Sequence, residues 1–244
     1  MKDNDLKQRF KDKLKAAGIH LLVSLVAFII VLYLILFHWF AQPFFTAGGG
    51  WDGIQLMAAI DLVLGPMLTL IIYNAAKSNK EKIFDFTVIG IVQFGAMIWG
   101  GYTVYNERPI AMAYFEDAIY AITPDYIAQQ QGTLPNLEPR NTILPLYYTE
   151  APVDMAQKKI MLDLTAQQIP PFAQLQLLQP FAPNAHKVFK PTLTHPLLEA
   201  QLKQLRAQHE TVYVVPLQAK YRLVALFFDQ HGNVLDYKIF EPQP

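Results

Sequence analysis

Three long stretches almost free of charge constrain what this chain can fold into. Asp, Glu, Lys and Arg are absent from residues 16–51 and 86–106, and the stretch 53–76 contains only Asp61. Each stretch supplies the roughly 20 apolar residues that a helix needs to cross a bilayer. The sequence therefore predicts three membrane-spanning helices, at residues 18–40, 54–73 and 84–102.

The composition of the 244 residues supports this interpretation and excludes other classes. Hydrophobic residues make up 52% and charged residues only 16%, which is more apolar than an ordinary soluble domain. Twenty Lys and Arg balance twenty Asp and Glu, so the excess of basic residues that nucleic-acid binding needs is missing. The absence of cysteine excludes disulfides and thiolate metal sites.

The distribution of basic residues predicts the orientation of the spans. The segment 1–17 contains six Lys and Arg, the loop 41–53 has none, and the second loop contains Lys77, Lys80 and Lys82. Lys and Arg near span ends stay in the cytoplasm, so the N-terminus is expected inside and the region after the third span outside. We expect the first span to be retained as an anchor, and segment 1–17 either lies on anionic lipid or is a solvated tail.

The chain is thus divided into a cytoplasmic basic segment at 1–17, a three-helix transmembrane region at 18–104 and an exported α+β domain at 105–244. In the domain, residues 110–122 predict two strands joined by a tight turn at Glu116-Asp117. A short helix is expected after Thr123, further helices at 154–168 and 196–209, and three strands at 211–217, 221–228 and 234–240. The run Gly48-Gly49-Gly50 is expected to be a flexible connector.

No catalytic or cofactor motif is present in the sequence. It lacks metalloprotease, nucleophile-elbow, calcium-loop and phosphate-loop patterns, and the exported histidines have no partner at metal-ligand spacing. We therefore expect no cofactor, no metal and no enzymatic activity. Two alternatives remain open, namely a membrane-anchored enzyme with a site assembled from scattered residues and a membrane sensor or scaffold.

Polar residues inside the second span are the remaining candidates. A carboxylate such as Asp61 costs several kcal/mol in the membrane unless it is protonated, paired or facing water. Asp61 is either a packing residue satisfied by a neighbour, with His38 as the candidate, or a docking point for another membrane helix. Pro66 is expected to free the carbonyl of Leu62 and to bend a helix that also carries Thr69.

Three passages resemble the type IV pilin accessory proteins of the TfpX/TfpZ family. They are Ala17–Leu22 (AGIHLL), Asp61–Leu70 (DLVLGPMLTL) and Arg108-Pro109. The resemblance covers the first 125 residues or so, and the Asp-x-x-Leu-Gly-Pro-x-Leu-Thr segment is its most specific part. Asp61, Gly65, Pro66, Arg108 and Pro109 carry over as motif positions.

The resemblance implies a non-catalytic factor for type IV pilus biogenesis in the inner membrane of Gram-negative bacteria. Its expected partners are the major pilin, the lipid bilayer and other membrane proteins of pilus assembly. Three spans would hold a pilin helix while the exported, periplasmic domain meets the globular head of pilin.

Overall fold

The structure is a computed structural model that describes residues 2–74, 77–137, 142–189 and 196–240. The chain forms two compact units, which are treated separately below. The helical unit comprises residues 1–39 and 50–105, and the sheet unit comprises residues 40–49 and 106–244.

Three long apolar helices build the helical unit. The first apolar helix is α1 (Lys2–Leu34) with a π-helical turn at Ile35–Trp39; a short helix α2 (Phe44–Ala47), which belongs to the sheet unit, follows it. The second apolar helix consists of α3 (Gly50–Ala58), a π-helical turn (Ala59–Leu64) and α4 (Gly65–Ile72), and the third is α5 (Asn79–Asn106). Among the described residues, these three helices are long and apolar enough to cross a membrane.

The helices overlap the predicted spans and extend beyond them. The basic segment 2–17 is helical and continuous with the apolar part of α1. The first apolar helix packs along α4, whereas no residue within 79–106 is buried. The third helix therefore leaves most of its surface available to lipid or to another protein.

A mixed seven-stranded sheet forms the sheet unit within the described residues. Its strands are β1 (Ala111–Phe115), β2 (Ala118–Ile122), β3 (Leu146–Tyr148), β4 (Gln179–Pro180), β5 (Tyr213–Gln218), β6 (Leu223–Phe228) and β7 (Val234–Ile239). The spatial order is β4-β3-β1-β2-β5-β6-β7. The β1–β3 and β2–β5 pairs are parallel, and the other pairs are antiparallel.

The predicted hairpin at residues 110–122 is confirmed. Strands β1 and β2 pair in register, and both turn residues have left-handed backbone angles, with φ of 46° at Glu116 and 69° at Asp117. Positive φ at both central positions is the geometry of a type I′ turn, whose twist matches that of the flanking strands. The three C-terminal strands are also confirmed, within one or two residues at each end.

The turn between β6 and β7 is held by one carboxylate. Asp229 accepts hydrogen bonds from the His231 amide at 2.8 Å, the Asn233 amide at 2.9 Å and Asn233 Nδ2 at 2.7 Å, and Gly232 has a φ of 83°. Burial alone would raise the pKa of Asp229, but the hydrogen bonds from Asn233 and His231 outweigh it and hold the pKa below its usual value.

Besides α2, the described residues of the sheet unit form the α-helices α6 (Pro124–Ala128), α7 (Met155–Ala166), α8 (Phe181–Val188) and α9 (Glu199–Arg206). Three of them, α6, α7 and α9, lie where the sequence predicts helices. The Asp154 side chain caps α7 by accepting from the Gln157 amide at 3.0 Å. The sequence does not predict helix α8 or the short strands β3 and β4. Their segments contain prolines and only short apolar runs, so they show no clear helical or strand periodicity.

Apolar residues on both faces of β6 explain its almost continuous apolar sequence. Val224, Leu226 and Phe228 pack in a core with α8 on one face. Ala225 and Phe227 pack in a second core with α9 on the other. A strand that is covered on both faces has apolar residues at successive positions and does not alternate between apolar and polar residues. The sequence of β6 has this pattern.

The segment 40–49, which joins the first two apolar helices, belongs to the sheet unit. Phe44 and Ala47 are buried in the core formed with β5, β6 and α8. The Arg222 side chain donates to the Thr46 carbonyl oxygen at 2.8 Å, and the Arg222 amide donates to the Ala47 carbonyl oxygen at 3.2 Å. The expectation of a flexible connector is therefore wrong.

Gly49 shows why this segment needs glycine. Its φ is +78°, and a Cβ atom at this position would lie 2.6 Å from Cδ2 of Tyr221. Both the backbone conformation and the approach of the tyrosine ring exclude a side chain here. Gly49 thus allows this segment to pack closely against the Tyr221 ring.

Candidate functional site

Three of the predicted site residues lie on one face of the second apolar helix. Asp61, Gly65 and Thr69 follow one another at intervals of four residues, a spacing that places side chains on the same helix face. All three are buried, and Thr69 is completely inaccessible to solvent. The motif residues therefore face the neighbouring helices rather than the surroundings of the unit.

His20 and Gln93 reach this face from the other two apolar helices. His20 Nδ1 lies 2.6 Å from the Thr69 hydroxyl oxygen, and His20 Nε2 lies 2.6 Å from Gln93 Oε1. Gln93 Nε2 lies 2.9 Å from the Ser24 hydroxyl oxygen and 3.5 Å from the backbone carbonyl oxygen of Asp61. One hydrogen-bonded network, named here the polar cluster, thus joins all three helices.

The chemistry of the acceptors fixes the hydrogens in the polar cluster. The Asp61 carbonyl can only accept, so Gln93 Nε2 is the donor on that side. Gln93 Oε1 then faces His20, and because an amide oxygen only accepts, His20 Nε2 carries a hydrogen. The Nδ1 atom of a neutral ring then accepts from the Thr69 hydroxyl.

The π-helical turn Ala59–Leu64 lies directly before Pro66. The Gly65 amide donates to the carbonyl of Ile60, five residues earlier, as π-helical geometry requires. Pro66 itself lies in α4 and has no amide hydrogen to donate. Gln93 Nε2 donates to the Asp61 carbonyl oxygen at 3.5 Å, one residue before the Leu62 carbonyl that Pro66 is expected to free.

Gly65 permits the contact between His20 and Gln93. A Cβ atom at position 65 would lie 3.0 Å from His20 Nε2 and 3.1 Å from both polar atoms of the Gln93 amide. Any side chain at this position would press on the bond between those two residues. This geometry gives the glycine of the sequence motif a structural reason.

A cleft of 590 Å³ lies beside the polar cluster within the helical unit. The polar residues of its lining are Asp12, Lys15, His20, Ser24, Asp61, Tyr73 and Gln93. The first and third apolar helices supply most of its remaining lining, which includes Ala16, Ile19, Val23, Ala27, Gly90, Phe94 and Met97. Its volume is in the range of binding pockets, and its lining combines apolar walls with a few polar groups.

The other predicted site residues lie elsewhere. The His38 ring packs against the Tyr33 ring, with centroids 5.1 Å apart, so the structure does not bring it to Asp61. The hydrogen-bonding neighbour of the Asp61 side chain is Gln93. Arg108 and the buried Pro109 lie in the sheet unit, in the connection that leads into β1.

Sequence reasoning missed His20, Ser24 and Gln93 as members of the site. Each is a polar residue inside an otherwise apolar stretch, and such residues are rare in membrane helices unless they have partners. His20 also lies in the first passage of the family resemblance. A single polar residue within an apolar stretch is therefore the sequence signal that indicates each of these three residues.

In the sheet unit, the stacked tyrosines Tyr114 and Tyr148 both have a raised phenol pKa. Their rings lie 5.8 Å apart; Tyr114 donates to Asp117 Oδ1 and Tyr148 donates to Glu150 Oε2, each at 3.1 Å. Burial and these carboxylates raise the pKa of each phenol to about 12. Both phenols stay protonated at neutral pH, which suits a structural role and not that of a general base.

Metal ligation finds no support in the part of the chain that the structure describes. No group of three His, Asp or Glu residues comes together there. His195, one of the exported histidines, lies outside the described residues.

Comparison with known proteins decides the family. The family model described as fimbrial assembly protein FimB matches residues 8–49. A fimbrial assembly protein of Dichelobacter nodosus, serogroups C1 and C2, is 39% identical over 113 residues, which are 46% of this chain and 86% of that relative. The chain belongs to the fimbrial assembly protein family.

Two further fimbrial assembly proteins of Dichelobacter nodosus are similar. The serogroup E1 protein is 39% identical over 113 residues, and the serogroup I protein is 38% identical over 117 residues. These matches cover 46% and 48% of this chain, and less than half of each relative, at 44% and 46%. No solved structure matches the chain. The expected kinship with type IV pilus accessory proteins is confirmed by these fimbrial relatives.

Proposed function

We propose that this fimbrial assembly protein is a non-catalytic accessory factor that acts on the major pilin during type IV pilus biogenesis. The observation that carries the proposal is the polar cluster, in which Gly65, His20 and Gln93 meet inside three apolar helices beside an open cleft. Buried polar groups within membrane helices mark functional sites by default. A cleft of this kind suits the binding of another helix, and the named relatives direct the proposal to pilus assembly.

The proposal includes a location in the inner membrane, with the N-terminus in the cytoplasm and the sheet unit in the periplasm. The concentration of Lys and Arg in segment 1–17, against none in the loop 41–53, supports this orientation. Because the chain contains no cysteine, single cysteines can report the topology without background. A membrane-impermeant maleimide should label Gln230→Cys in intact spheroplasts, and Asn79→Cys only after lysis. The reverse labelling pattern would reject the orientation.

Deletion of the gene tests the function itself. We expect the deletion strain to lose surface pili and twitching motility while its growth rate stays normal, with recovery on expression of the wild-type chain. Normal piliation, motility and pilin level in the deletion strain would reject the role in pilus biogenesis.

Complementation with glycine variants tests the link to the polar cluster. Gly65→Ala places a methyl group 3.0 Å from His20 Nε2 and should restore piliation poorly at a normal protein level. Gly100→Ala is the matched control, because a Cβ atom there meets nothing within 4 Å. Equal recovery of piliation by the two variants would show that the function does not depend on the polar cluster.

A further inference from the structure

The cleft in the helical unit is open to lateral entry because the third apolar helix is weakly packed. None of the residues 79–106 is buried, yet Gln93 in the middle of this helix donates to Ser24 and accepts from His20. The third helix is thus held to the first by the hydrogen bonds of Gln93 and, near its end, by an edge-to-face contact between the Trp39 and Tyr105 rings, whose centroids lie 5.3 Å apart. Between these helices, the space is accessible to molecules that move in the plane of a membrane.

The carboxyl group of Asp61, which lines the cleft, can accept further hydrogen bonds. An aspartate side chain offers about four acceptor positions, and the carboxyl of Asp61 lines the cleft. Among the described residues its hydrogen-bonding neighbour is Gln93, whose two N–H groups also serve Ser24 and the Asp61 carbonyl. A donor from an occupant of the cleft would complete the hydrogen bonding of Asp61.

Two kinds of molecule could enter such a cleft from a bilayer, a lipid acyl chain or a protein helix. An acyl chain has no hydrogen-bond donor and would leave the carboxyl of Asp61 without a new partner. A helix can supply a hydroxyl, amide or ammonium donor. Small residues, namely Ala16, Ala27 and Gly90, also line the cleft, and small residues let helix backbones approach closely. Both observations favour a helix.

We propose that the cleft binds a single membrane helix of the assembly partner, which places a hydrogen-bond donor against Asp61. This inference rests on the proposed function and names the site and the chemistry of recognition. The partner helix enters between the first and third apolar helices, and its apolar side chains cover Ile19, Val23 and Met97.

Photocrosslinking in living cells tests what occupies the cleft. A photoreactive residue at Met97, which lines the cleft, should give a protein adduct whose peptides map to one membrane helix of a pilus protein. The same residue at Ile98, which is 69% exposed and outside the lining, should give at least about tenfold less of this adduct. Adducts with lipid alone at Met97, or equal protein adducts at both positions, would overturn the proposal.

A pair of glycine variants tests whether the cleft must be empty for binding. Cβ atoms at Gly90 and at Gly95 both meet nothing within 4 Å, but only Gly90 lines the cleft. Gly90→Leu should fill the cleft and reduce the Met97 adduct about tenfold or more, whereas Gly95→Leu should leave it unchanged. An unreduced adduct in Gly90→Leu, at an equal protein level, would overturn the proposal.

Substitution of Asp61 tests the recognition chemistry. Asp61→Asn keeps an acceptor oxygen of the same shape and should retain the adduct, while Asp61→Leu removes it and should lose most of the adduct. A full adduct with Asp61→Leu would overturn the role of the donor. If the deletion strain lacks pili while these crosslinks fail, only this inference falls; a deletion strain with normal pili contradicts the proposed function instead.

Discussion

Replacing Phe44 with alanine tests whether the segment 40–49 is part of the sheet unit's core. Phe44 is 5% exposed and lies in the cluster that includes Val215 and Phe228. Removing a buried phenylalanine side chain costs about 3–5 kcal/mol, through lost burial and the cavity left behind. At about 1.4 kcal/mol for each factor of ten, hydrogen exchange through opening of the core should accelerate by about two to more than three orders of magnitude.

The assay is amide hydrogen exchange by mass spectrometry on the full chain in detergent micelles. Peptides that cover β5 and β6 should show the acceleration, although the substituted residue is far from them in sequence. Phe37→Ala is the matched control, because Phe37 is 73% exposed on the first apolar helix and should leave those peptides unchanged. If exchange in β5 and β6 is the same in both variants, the segment does not stabilise the sheet unit.

Three further changes test other parts of the structure. Gly49→Ala should destabilise the sheet unit by about 1–2 kcal/mol in thermal unfolding, since its φ is positive, whereas Gly53→Ala in an open helical position should not. Asp229→Ala should destabilise the β6–β7 hairpin at pH 6, as measured by hydrogen exchange. Because the folded-state pKa of Asp229 is lowered, the carboxylate stabilises the hairpin above about pH 4. The difference in stability between the variant and the wild type should therefore decrease as the pH falls below that value. Gln93→Leu removes the hydrogen bonds of Gln93 to His20, Ser24 and the Asp61 carbonyl, worth about 0.6 kcal/mol each. This variant should reduce disulfide trapping between cysteines introduced into the first and third helices, whereas Thr87→Leu on the same helix should not. Unchanged stability of Gly49→Ala would contradict the argument from its positive φ. A pH-independent effect of Asp229→Ala would contradict the argument from its pKa, and unchanged trapping in Gln93→Leu would contradict the argument from its hydrogen bonds.

The local signals in the sequence predicted the elements that local rules determine. The hairpin at 110–122 and the capped helix from Met155 follow from alternation, turn residues and an aspartate cap. In each case the information lies within a few residues along the chain.

Tertiary packing determined what the sequence did not predict. His20 and Gln93 are separated by the whole second apolar helix, and their contact depends on a close approach at Gly65 that one sequence does not reveal. Phe44 lies in the loop 41–53, which the sequence places between two spans, although strands near the other end of the chain cover it. The π-helical turn before Pro66 likewise has no local sequence signature.

The position of segment 40–49 in the core of the sheet unit has a consequence for the order of folding. During synthesis this segment is complete long before β5 and β6, which cover Phe44. The parallel pair of β2 and β5 is also formed between distant parts of the chain, and contacts of this kind slow folding. Phe44 and Ala47 therefore stay uncovered until the last strands arrive, and a nascent chain arrested before residue 213 should expose the segment 40–49 to proteases or chaperones.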